Sequence, residues 1–145
     1  MVQLFFFIVI AVIITYAIIY AFSCSRHSEP EILTINAILN AENEVPPTGS
    51  DALGTATLIF NNLTKIFTLR VDYSEITLIA AHIHKGEIGV SGLVVFPLDH
   101  TKNPIEYTSA PLTLEQEEDL INGLYYVNLH TDIYPAGEIR GQLIY

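Results

Sequence analysis

Ala80-Ala81-His82-Ile83-His84-Lys85-Gly86 sets polar against apolar side chains at every second position. Tyr126-Val127-Asn128-Leu129-His130-Thr131 does the same near the C-terminus, and Glu138-Ile139-Arg140-Gly141-Gln142-Leu143 follows it. This is strand periodicity, because residues i, i+2 and i+4 of an extended chain share one face. His82 and His84 therefore point together, as do Asn128 and His130, and as do Glu138, Arg140 and Gln142. Their odd-numbered neighbours, among them Ala81, Ile83, Val127, Leu129 and Ile139, make a dry face. One dry and one polar face predict half-buried antiparallel strands.

Outward from these stretches the same signals recur. Residues 32–39, 54–61, 65–73, 76–84, 93–98, 124–131 and 138–144 read as strands. Asn61-Asn62 marks a hairpin turn between the second and third, and Tyr134-Pro135-Ala136-Gly137 another between the last two. Residues 41–50 and 99–111 carry two prolines each and read as loops. Gly86 to Gly92 is a glycine-rich turn; it has no lysine after its last glycine, so it is not a phosphate cradle. Thr113-Leu114-Glu115-Gln116 is a capping box opening a short helix that ends at Asn122-Gly123. The acidic run Glu115 to Asp119 reads as its solvated face. The sum is an all-β antiparallel sandwich, Greek-key or immunoglobulin-like, with one short helix.

Ahead of the sandwich, Leu4 to Phe22 is an unbroken apolar run without charge, proline or glycine. As a helix, at ~1.5 Å per residue, it would span ~28 Å, about one hydrocarbon core. Three readings compete for residues 1–23: an uncleaved transmembrane anchor, a signal peptide, and a lipoprotein signal with Cys24 as the lipidated residue. Each places the domain outside the cytoplasm, in the periplasm, at the cell surface or secreted, with the membrane as partner. Residues 24–31 are a linker, and residues 32–145 form the domain.

The chain carries 16 acidic and 6 basic residues, a net charge of −10. Such a balance excludes nucleic acid, whose phosphates need clustered lysine and arginine. The one cysteine cannot form an internal disulfide.

The polar faces supply the functional candidates. Two imidazoles two residues apart on a strand can reach one ion, and His130 would complete a three-histidine set for copper or zinc. This requires the His130 strand to lie beside the His82 strand. Asn128, Asp132 or Glu138 would then orient the rings. The competing reading is a structural polar cluster, with Arg140 paired to Glu138 or Asp132 and the histidines donating to backbone carbonyls. His27 and His100 lie in the linker and a loop, away from this set. Ser91 and Ser109 lack any nucleophile motif, so no catalytic constellation is expected.

Four stretches together resemble the chordin-type (CHRD) domain family. They are Leu39 to Pro47 with its Glu44-Val45-Pro46-Pro47, Gly54-Thr55-Ala56, Ala81 to Gly86 followed by Gly92 to Val95, and Tyr126 to Thr131 followed by Pro135 to Leu143. They stand in the family's order and cover nearly all of the chain outside the apolar run. The resemblance implies an extracytoplasmic module of the kind found in chordin and in bacterial exported proteins, here a bacterial-type exported or membrane-anchored member. It implies a binding or structural module with no defined reaction, whose partner, protein or glycan, is left open. The family's sandwich is similar to that of copper/zinc superoxide dismutase, which keeps a metal-dependent oxidoreductase as a third, weaker reading beside the metal-binding one.

Overall fold

Among the described residues, alternation becomes eight strands in two four-stranded sheets. The structure, a computed structural model, describes residues 31–145. One sheet orders β1 (Ile32–Leu39), β2 (Leu53–Asn61), β3 (Ile66–Ser74) and β6 (Ile105–Thr108). The other orders β5 (Leu93–Leu98), β4 (Leu78–Lys85), β7 (Tyr125–Thr131) and β8 (Ile139–Gln142). All pairings are antiparallel.

Each sheet turns its apolar set inward. Ile35, Leu58, Phe60, Phe67, Leu69 and Val71 of the first sheet meet Ile83, Phe96, Val127, Leu129 and Ile139 of the second in a single core. Phe67 and Phe96 join the layers edge to face at 5.4 Å. On one side β1 reaches the second sheet, where Asn40 and Arg140 exchange backbone hydrogen bonds of 3.1 and 3.2 Å.

Among the described residues, the expected all-β sandwich with one short helix is what forms. The β2–β3 and β7–β8 hairpins close where the turn residues predict. One expectation fails: β6 lies inside the 99–111 stretch assigned to loop. Pro104 and Pro111 bracket it, leaving a run too short for alternation to register, yet Ile105 is fully buried against the core. The helix, α1 (Leu114–Ile121), starts on the Thr113–Gln116 capping box as expected. Its acids are less solvated than expected, for Glu117 pairs with Lys65 and Asp119 with Lys85, each at 2.6 Å.

The apolar run Leu4–Phe22, Cys24 and His27 lie outside the described residues. Among the described residues no helix is long and apolar enough to cross a membrane.

Candidate metal centre

β4 and β7 are neighbours, so the strand condition for a three-histidine set is met. In register, Ala80 stands opposite His130 and His82 opposite Asn128. All three imidazoles therefore rise from the outer face of the second sheet. That face is not open to solvent, since β7 is buried at every position from Tyr125 to Thr131. The 86–92 turn and the 41–50 loop fold over it. Arg140 anchors the first by donating to the carbonyls of Val90 and Glu87, and Gln142 donates to that of Gly86. Thr48 and Ser50 tie the second down by donating to Glu138.

The rings converge. Their candidate ligand nitrogens all lie within 4.8 Å of one another. His82 Nδ1 and His130 Nε2 are 3.1 Å apart. For comparison, nitrogens bound ~2.0–2.1 Å from a tetrahedral ion stand ~3.3 Å apart.

Two tautomers are fixed by backbone carbonyls, which can only accept. His84 Nδ1 donates to Gly92 O at 2.9 Å, and His130 Nδ1 donates to Pro135 O at 3.2 Å. Each bond leaves Nε2 as a bare lone pair on the other side of its ring. His130 Nε2 faces His82, whereas His84 Nε2 is buried and has no partner. Burial first, and then the neighbouring imidazoles, push His130 down to about 4. Burial also lowers His82 and His84. The set is therefore neutral at neutral pH, the state in which imidazole ligates a metal.

His84 is held by a column of rings. It stacks on Tyr126 at 5.0 Å and 10° between planes, and the Arg140 guanidinium sits 3.4 Å over the other side of Tyr126. Gly92 locks both rings: its N–H donates to the Tyr126 hydroxyl and its carbonyl accepts from His84.

The other residues of the polar faces do not orient the rings as expected. Glu138 turns to Ser50 and Thr131. Asn128 turns toward Glu44 and Gly137. Asp132 is exposed. Arg140 pairs with neither Glu138 nor Asp132; its donors go to Val90, Glu87 and Gln142. His100 stays outside the convergent set, but its charge contributes to lowering His82. Sequence reasoning missed Tyr126, Gly92 and the carbonyl of Pro135. Only Tyr126 carried a signal, since it shares the strand face of Asn128 and His130.

Comparison with curated proteins and with solved structures gives no match. The sequence model of the CHRD domain, however, matches residues 35–143. That span runs from within β1 to just past β8, takes in both sheets and includes all three histidines. The chain belongs to the CHRD-domain family.

Proposed function

We propose that the domain is a binding module that holds one copper or zinc ion on His82, His84 and His130, displayed outside the cytoplasm at a membrane. Membership of the CHRD family supports a non-catalytic module. The apolar run Leu4–Phe22 supports the membrane location.

One observation carries the metal. His84 Nε2 is a buried lone pair with no donor, because Nδ1 holds its proton against Gly92. Such an orphan costs ~1–3 kcal/mol. An ion between the rings gives that lone pair a partner, with two further ring nitrogens in reach. Neutral nitrogen donors suit copper and zinc and are poor ligands for calcium or magnesium. His82, the least buried of the three, adapts its tautomer, while His84 and His130 are preset.

The test is metal content of the full chain after loading with copper or zinc and removal of free ion, beside a His82→Ala/His84→Ala double variant. One equivalent in the parent and none in the folded variant is expected. No retained metal in the parent, or equal retention in both, would sink the reading and leave the histidines as part of the fold.

A further inference from the structure

Beside the histidines, toward β8, lies a second polar cluster with one guanidinium and two carboxyl groups. Arg140, Glu44 and Glu138 are 2%, 7% and 5% exposed. Glu138 is satisfied, accepting from Ser50 Oγ at 2.5 Å and from Thr131 Oγ1. Arg140 spends its donors on Val90, Glu87 and Gln142. Glu44 is not satisfied. Its carboxyl group faces the Asn128 amide and the Val45 N–H, yet Glu44 Oε1 and Asn128 Oδ1 are both buried without a partner.

Both orphan oxygens converge beside Gly137. A Cβ there would sit 2.8 Å from Glu44 Oε1 and 2.6 Å from Asn128 Oδ1, and φ is +136°, so only glycine fits. Two acceptors in one dry space lack a hydrogen between them. A neutral carboxyl supplies it: its O–H donates to Asn128 Oδ1 while Asn128 Nδ2–H donates to the other carboxyl oxygen, closing a cyclic acid–amide pair. The charge count agrees. Two carboxylates against one guanidinium leave a net negative charge in a buried cluster, and one proton cancels it.

We propose that Glu44 is kept as a neutral acid paired with Asn128, a clasp that fastens the 41–50 loop over the histidine sheet and loosens when Glu44 ionises. The groups facing it are few. Arg140 approaches from β8, Glu138 sits satisfied one residue before β8, β7 contributes the neutral Asn128, and Tyr134 lines the groove beside the loop. Glu42 lies exposed on the loop itself. Burial outweighs the pull of Arg140 and pushes the Glu44 carboxyl up to about 7. The loop has other ties on both sides, through Asn43 to Arg140 O and through Thr48 to Glu138 O. Ionisation therefore loosens the segment between them rather than detaching the loop. None of this depends on a metal.

The direct test is a pH titration of the Glu44 side-chain carboxyl carbon by NMR, in the full chain with a chelator present. The expected midpoint is near 7; one within about a unit of the ordinary 4.5 overturns the proposal. The second measurement uses Glu44→Gln, whose amide supplies a permanent N–H. In the parent, hydrogen exchange at the Glu44 and Thr48 amides, which both donate to Ala41 O, should rise above neutral pH beyond the intrinsic rate. In the variant it should not, and the same pH dependence in both would overturn the clasp.

Discussion

Gly92 contributes nothing but backbone, and both of its polar groups are committed to the site. Its carbonyl fixes the His84 tautomer and its N–H fixes the Tyr126 hydroxyl. A Cβ at this position would lie 1.6 Å from the carbonyl oxygen of Lys85, so no side chain fits without moving the strand end. Gly92→Ala should therefore destabilise the fold by about 2–3 kcal/mol, read by urea unfolding. Tyr126→Phe is gentler. It keeps the stack on His84 but leaves the Gly92 N–H unpaired, at about 1–2 kcal/mol. Because the carbonyl that orients His84 is then less well held, metal affinity should fall roughly tenfold by calorimetric titration. Strand parity alone put His82, His84 and His130 on polar faces. It could not show the carbonyls of Gly92 and Pro135, because backbone partners have no sequence signature.

At the level of elements, the sequence described β7 as half-buried and the structure buries both faces. Alternation records which side chains face the partner sheet. It carries nothing about loops that return from far along the chain, and here residues 41–50 and 86–92 cover the polar side. That cover turns a solvated face into a site with buried lone pairs, so the candidate chemistry depends on the least legible part of the chain. Local signals fared better. The capping box of α1 forms as its spacing requires, with Thr113 Oγ1 accepting from Gln116 N at 3.2 Å. Thr113→Ala should cost about 1 kcal/mol and leave metal retention unchanged, since α1 supplies no ligand. If retention fell as well, the helix would be coupled to the site through Lys85, which extends from the His84 strand to Asp119.

For the whole molecule, two buried groups on one face make stability respond to pH in opposite senses. His130 has its folded-state value depressed from 6.5 to about 4. Its contribution is complete above the unfolded value and is lost as pH falls through the folded one, because the unfolded chain takes up the proton first. Glu44 has its value raised from 4.5 to about 7. Its contribution is complete below the unfolded value and is lost as pH rises through the folded one. Between about pH 4.5 and 6.5 the two changes run against each other and largely cancel, while the lowered His82 and His84 add in the sense of His130. Glu44→Gln removes one of them. In chelator, that variant should gain about 2.5 kcal/mol over the parent as pH rises from about 4.5 to 7, and its own stability should fall toward acid with the slope of the buried histidines exposed. Urea midpoints of both proteins across this window are the measurement. A constant offset between them would mean that Glu44 ionises normally in the fold, and the balance between the two groups would not exist.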